Sequence, residues 1–293
     1  MISRMDKRPI NRSIMFWVLI FAAQVNGGVV ARRDIPARNR VLCWYHRNST
    51  TKPVEELLVP PAPLVRRWFA PWVAPNVLAA DKGLQMSFYA ETIFPWLLDR
   101  SLDTPPIRAR RKRLVEGAQG DVLEIGFGTG ATLPFYNREI VRSLSVVEPS
   151  TGMNKRATEI INRLNWSITL DALAGEHLPY EDQTFDCVVS SLTLCSVSDP
   201  PQVLAEIWRV LRPGGTLRYF EHVASDDPQR RKWQDRLNPV QRVVGVGCNL
   251  NRDTVGLMRA AGFVVGSVPQ QIEPSFPFAA YLPFVEGVAQ KPA

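Results

Sequence analysis

Glu124-Ile-Gly-Phe-Gly-Thr-Gly130 sets one carboxylate ahead of glycines at alternate positions, Gly126, Gly128 and Gly130. Glycines so spaced let a ligand lie against the backbone and tolerate the positive φ of a tight strand-to-helix turn. The preceding run, Val122-Leu-Glu-Ile125, is short and apolar and reads as a buried strand. Ala131–Tyr136 is expected to open a helix whose first N–H groups face the same ligand. A second carboxylate, Glu148, ends the next apolar run, Ser143–Val147, where it can meet a ribose diol. The chemistry these residues predict is the holding of a nucleotide-like small molecule.

That motif admits two ligands. Gly126-Phe-Gly-Thr-Gly-Ala131 satisfies the dinucleotide fingerprint G-x-G-x-x-G/A, with Glu148 as the acid expected about twenty positions on. Glu124 to Gly130 also fits the S-adenosylmethionine (SAM) pattern: an acid, one residue, then alternating glycines. A bare strand–turn–helix with no ligand is the plain alternative.

The other reactive side chains are scattered. Cys43, Cys187, Cys195 and Cys248 form no C-x-x-C pair and, with His46, His177 and His222, no metal-ligand spacing. No metal site and no disulfide framework is expected, which fits a reducing, cytoplasmic setting. Cys195 reads as a half-buried structural thiol. His222, after an apolar run, is the best-placed general base, with simple packing at a sheet edge as the alternative.

These residues need a scaffold. The chain has 293 residues, 45% of them hydrophobic, enough for a full α/β core in one or two domains. Its net charge of +7 is uneven: residues 1–120 hold 19 Lys and Arg against 9 Asp and Glu, and the remainder 16 against 19. A mildly acidic second half argues against a nucleic-acid partner held electrostatically at the site. The basic front leaves room for peripheral contact with acidic lipid headgroups.

Residues 1–85 read as a separate extension. Arg4, Lys7, Arg8 and Arg12 precede the apolar run Ile14–Val25, laid out like a secretory signal and short for a membrane span. An export signal conflicts with an enzyme that needs SAM, so a membrane anchor or an extension upstream of a start at Met86 stand beside it. Residues 32–76, rich in Arg and Pro, read as a linker or disordered arm, and Asn48-Ser-Thr50 is a sequon of a kind common by chance.

The folded domain is expected over 86–293. Met86–Leu98 is apolar at helical spacing with Pro95 to kink or split it. Thr104-Pro105-Pro106 starts a second helix, whose Arg108–Arg113 run reads as a solvated face. The two helices would lead into the first strand and could cover the cleft. Strands and helices then alternate, as in a doubly wound sheet. Strands are expected at Ser143–Val147, Ser167–Leu170, Cys187–Ser191 and Thr216–Phe220. Helices are expected with stripes at Met153/Ala157/Ile160/Ile161/Leu164 and at Val203/Ile207/Val210/Leu211, the latter capped by Asp199 and ended by Gly214-Gly215. A last helix runs from Asn251–Thr254 to Gly262, and Phe263–Val268 with Ala279–Val288 forms a closing hairpin.

This order of parts, with Leu178-Pro-Tyr-Glu-Asp-Gln-Thr-Phe-Asp186 and Arg209-Val-Leu-Arg-Pro-Gly-Gly215, resembles the class I SAM-dependent methyltransferases over about residues 86–293. Nicotinamide dehydrogenases do not show those two segments there. Leu194-Cys-Ser-Val197, Phe220-Glu-His-Val223 and Gly247-Cys-Asn-Leu250 narrow the likeness to small membrane-associated proteins linked to alkyl-thiol methylation. The quinone and phospholipid methyltransferases share the central motifs but are less similar in these three segments. The resemblance implies a seven-stranded, mostly parallel, Rossmann-like sheet and SAM as cofactor. It implies that Gly126, Gly128 and Gly130 carry the methionine part of SAM, with Glu124 supporting its amino group and Glu148 taking the ribose hydroxyls. Gly175, Glu176 and His177 match the loop beside the adenine, although Ala174 stands where many relatives have an Asp, and Ser191 would face the transferring methyl.

The sulfonium of SAM activates its methyl, so transfer asks mainly for positioning and desolvation. A base is needed only where the acceptor must lose a proton, and a thiol loses one readily. Ser191-Leu-Thr-Leu-Cys195 replaces the Asn/Asp-Pro-Pro-Tyr segment used on exocyclic amines of bases. Apolar residues at 86–98, Trp233 and Phe276-Pro-Phe278 suit a small hydrophobic acceptor, a thiol or a lipid-like molecule. A SAM-binding or membrane-docked scaffold without catalysis is the alternative from another class.

Overall fold

Apolar strands that must be covered on both faces dictate the architecture. The structure, a computed structural model, describes residues 89–272 and 282–293. The expectations for residues 1–85, the start at Met86, and Phe276-Pro-Phe278 lie outside the described residues.

A π-helical turn, Tyr89–Ile93, runs into α1 (Phe94–Leu102), and α2 spans Pro105–Glu116. Pro95 sits in the first turn of α1, where a missing N–H costs nothing, so it splits the expected helix by starting its second part. Then follow β1 (Gly120–Ile125), β2 (Val141–Val147), α3 (Thr151–Leu164), β3 (Thr169–Asp171), β4 (Phe185–Ser191), α4 (Pro200–Val210) and β5 (Leu211–His222). The chain closes with α5 (Pro228–Val244), α6 (Thr254–Ala260), β6 (Val264–Val265), β7 (Gln271–Ile272) and β8 (Pro283–Gln290).

The strands form one sheet in the order β3-β2-β1-β4-β5-β8-β6, with β7 paired to β8 off that path. The β7 addition makes eight strands where seven were expected. β3 through β5 are parallel, and β8 runs antiparallel between β5 and β6. Side chains alternate between two cores, as the period of a strand requires. Val122, Val146, Val189 and Phe284 face the layer of α2 and α3, while Leu123, Val147, Val188 and Val285 face α4 and α6. Among the described residues no helix is long and apolar enough to cross a membrane.

Three local expectations are corrected, and one helix is added. Ala131–Tyr136 forms no α-helix but a single 3-10 turn, Leu133–Phe135, because Pro134 stands within it and the chain must reach β2 by Val141. Gly214 and Gly215 do not end α4; the chain is already extended at Leu211, and the glycines lie within β5, where Lys291 brackets them. The Arg108–Arg113 run is not simply a solvated face. Arg110 and Arg111 are buried: Arg110 reaches Gln271 at 2.9 Å and Glu286 at 3.4 Å, and Arg111 the Leu102 carbonyl at 3.4 Å. Finally, α5 was not anticipated, although Asp227-Pro228 is a cap signal: the Asp227 carboxylate accepts the Gln229 and Arg230 N–H groups.

Candidate cofactor and acceptor site

The order of the parallel strands reverses between β1 and β4, and crevices outside the carboxyl ends of strands at such a point take ligands. The glycine turn leaves β1 at that point. Gly126, Gly128 and Gly130 all have positive φ, at 62°, 59° and 81°. A methyl group on Gly126 would collide with Thr193. One on Gly128 would meet only the Gly126 carbonyl, at 3.9 Å, so the face over Gly128 is open and a ligand can approach the backbone there.

Glu148 follows β2 and is buried. Its Oε2 accepts the Gly128 N–H and its Oε1 the Ser150 N–H, each at 2.9 Å. Burial pushes its carboxyl above the usual range, against the pull of those two donors. Each oxygen keeps lone-pair capacity for a further donor. Glu124, at the end of β1, is enclosed instead. Thr132 Oγ1 lies 2.9 Å from both carboxylate oxygens and the Tyr136 hydroxyl donates at 2.8 Å. Desolvation pushes its pKa up to about 7.

The first helical segment lies across this end of the sheet. Glu91 accepts from the Ser150 hydroxyl at 3.0 Å, the Thr151 hydroxyl at 2.8 Å and the Gly152 N–H at 2.5 Å, at the start of α3. Asp99 of α1 accepts from the Thr129 hydroxyl and pairs with Arg156 at 2.9 Å. So α1 and the turn before it reach the glycine loop and the start of α3, and α2 packs on the Leu133–Phe135 turn and on β4, β5 and β8.

Gly175, Glu176 and His177 lie on the loop that leaves β3. The Glu176 Oε1 accepts the Ser198 N–H at 3.1 Å and the Asp199 N–H at 3.3 Å, which ties the loop to the entry of α4. His177 is exposed. Ser191 ends β4, one residue past the Ser190 that registers with Ile125.

A further carboxylate at this end of the sheet, after Glu124 and Glu148, was missed. Glu221, the penultimate residue of β5, is fully buried. Its Oε1 accepts from the Ser190 hydroxyl at 2.7 Å, the Thr193 N–H at 3.0 Å and the Leu194 N–H at 3.1 Å. Its Oε2 accepts the Cys195 N–H at 3.3 Å. It thereby folds the β4–α4 loop, which begins at Leu192 with φ 58°, a strained value for a leucine. Thr193 Oγ1 donates to the Ile125 carbonyl at 3.1 Å, linking that loop to the glycine turn.

His222 ends β5 and is buried. Its Nε2 lies 2.8 Å from Cys248 Sγ, and its ring meets Phe284 at 6.5 Å between centroids. Among the described residues its buried Nδ1 has no hydrogen-bond partner. Cys195 is fully buried rather than half-buried. The side-chain donors of Cys195, His222 and Cys248 all lie within 4.8 Å of one another. Sequence spacing, 27 and 26 positions, hid this convergence of three separate segments. Burial opposes the charged imidazolium, but the Cys248 sulfur and Glu221 raise the His222 pKa overall. Donation from Cys195 and the charge of His222 lower that of Cys248, and burial beside that sulfur raises that of Cys195.

Comparison with known proteins defines the class. Residues 123–219 match the family model described as a methyltransferase domain. The chain is 34% identical to the thiol S-methyltransferase TMT1B of Rattus norvegicus, over 60% of this chain and 74% of that protein. It is 32% identical to the phosphatidylethanolamine N-methyltransferase of Cereibacter sphaeroides, over 49% of this chain and 70% of that one. The fold matches the N-methyltransferase NodS from Bradyrhizobium japonicum, solved with S-adenosyl-L-homocysteine, with a TM-score of 0.52 at 19% identity, covering 71% and 97% of the two chains. The chain belongs to the class I SAM-dependent methyltransferases. Its cofactor is SAM, which the open glycine face and the adjoining Glu148 fit. The dinucleotide reading of the glycine motif is set aside.

Proposed function

We propose that this enzyme methylates the sulfur of small hydrophobic thiols. The observation that carries the reading is the identity of about a third with thiol S-methyltransferases over most of their length. The segments that narrow the likeness, around Cys195, His222 and Cys248, meet at one place, which supports it.

In this reading the glycine turn of Gly126, Gly128 and Gly130 carries the methionine part of SAM. Glu148, its oxygens each already holding one N–H, takes the ribose hydroxyls. Glu124 acts from behind the turn: neutral or charged, it fixes Thr132 and Tyr136 and so the path of the chain under the methionine. Gly175, Glu176 and His177 flank the adenine through backbone groups, since Glu176 is engaged with Ser198 and Asp199. Ser191 stands at the methyl. Bound there, SAM supplies a methyl group already activated by its sulfonium. The chain's own contribution is to seat the acceptor in line, to exclude water with α1, and to favour loss of the thiol proton near His222.

The test is calorimetric titration of SAM and S-adenosyl-L-homocysteine into the full chain, with NAD as control. An acceptor screen then sets alkyl thiols against lipid quinols and phosphatidylethanolamine. Methyl transfer to alkyl thiols is expected. Transfer to phosphatidylethanolamine alone would replace this reading by the phospholipid one, which the 32% identity to an N-methyltransferase supports.

A further inference from the structure

We infer that Cys195, His222 and Cys248 bind a thiophilic divalent cation, zinc by chemistry, whose open fourth position takes the acceptor thiol as thiolate. The second half of this inference rests on the thiol reading above; the first does not.

The donor set is the argument. Two sulfurs and one imidazole nitrogen within 4.8 Å of one another are a Cys2His set, one of those that hold catalytic zinc with three protein ligands and an open position. Soft thiolates select zinc over magnesium or calcium. The set is built from three elements that do not move independently. Cys195 is held through its N–H by Glu221, and its carbonyl accepts from the Asn249 N–H at 2.9 Å and from Asn249 Nδ2 at 3.2 Å. His222 is clamped by β5 pairing with β8 and by the Phe284 ring. The 2.8 Å between Nε2 and Cys248 Sγ is a hydrogen-bond distance, so a cation would part the two slightly.

Placement supports an open position. Cys195 and His222 are buried while Cys248 is half-buried, so the cluster opens on the Cys248 side. Cys195 is two residues from Thr193, the residue that touches the glycine turn. The cluster thus sits at the same end of the sheet as the cofactor loop.

Each step is balanced without a redox partner. On metal uptake the protein thiols lose their protons to water as sulfur–metal bonds form. On acceptor binding the acceptor S–H bond breaks, its proton leaves to solvent, and its sulfur takes the fourth position. A coordinating thiol is deprotonated outright, so no separate base is required. His222 then assists deprotonation as a ligand rather than as a proton acceptor.

The test uses the full chain purified under reducing conditions. Metal content after dialysis should be one equivalent of zinc, and cobalt substitution should give the intense visible bands of a tetrahedral thiolate site. Cys195→Ser, Cys248→Ser and His222→Gln should each weaken metal binding by about 100-fold or more, the upper range even for lesser perturbations of such sites. Binding of S-adenosyl-L-homocysteine by each variant checks that it is folded. Adding an alkyl thiol without SAM should shift the cobalt bands. No retained metal and no cobalt bands in folded protein, with the two cysteines free or joined in a disulfide, would overturn the inference and leave thiol methylation standing. Cobalt bands that ignore added thiol would overturn the open-position half. Metal and thiol binding without thiol methylation would instead count against the proposed function.

Discussion

Glu148 and Glu221 are the same residue type, each near the carboxyl end of a parallel strand, on either side of the central pair β1 and β4. Glu148 holds one N–H per oxygen beside an open glycine turn. Glu221 holds a hydroxyl and three N–H groups and is wholly enclosed. Burial pushes both carboxyls up. The number of donors already in place separates them: Glu148 is left with capacity for a ligand, and Glu221 has spent its own on a loop. A buried acid at the end of a strand is therefore not by itself a binding residue; what counts is how many of its lone pairs the backbone has taken.

That contrast can be broken most readily at Glu221. Glu221→Ala leaves four donors without their acceptor and is expected to cost about 3–5 kcal/mol, read as a lowered urea midpoint with unchanged slope. A loss under about 1 kcal/mol would mean that the β4–α4 loop does not depend on Glu221.

Glu124 sharpens the contrast from a third position. Its pKa rises from 4.5 to about 7 on folding, so the native state binds the extra proton between those values. Stability from this group is full below about pH 4.5 and falls as pH rises through 7, by about 3 kcal/mol in all. Glu124→Gln should remove that fall; comparing the two unfolding midpoints from pH 5 to 8 isolates it. Parallel curves for the two proteins would sink the assignment.

The smallest effect belongs to the open acid. Glu148→Ala should weaken SAM by roughly 10- to 100-fold, the worth of one or two hydrogen bonds to a charged group at about 1.5–3 kcal/mol each, less what water restores. Its urea midpoint should drop less than that of Glu221→Ala. Unchanged SAM affinity would remove Glu148 from the cofactor site.

The glycine turn and the carboxylates beside it were legible because they lie close together along the chain. One strand, one turn and the next strand carry Glu124 through Glu148, and local rules of backbone conformation apply along them. The cap Asp199 was legible for the same reason, its carboxylate accepting an N–H of its own helix's first turn. The meeting of Cys195, His222 and Cys248 was not legible. Cys195, His222 and Cys248 come from a loop after β4, the end of β5 and the segment after α5, and only tertiary packing joins them. Glu221 was masked because its partners, from Ser190 to Cys195, lie about 26–31 residues back. The missing helix after Gly130 shows a local rule overruled by distance: Pro134 and an early β2 leave room for one tight turn.

The antiparallel strand β8 has a consequence for the order in which the enzyme becomes an enzyme. On the ribosome, β1, β2 and β3 emerge within residues 120–171, and β8, the antiparallel partner of β5, follows much later in the chain. The ring that clamps His222 belongs to Phe284 of β8, opposite it in register. The strands that carry Glu124 and Glu148 are therefore made before the strand that clamps His222. A nascent chain thus carries its glycine turn well before it carries the ring that fixes His222.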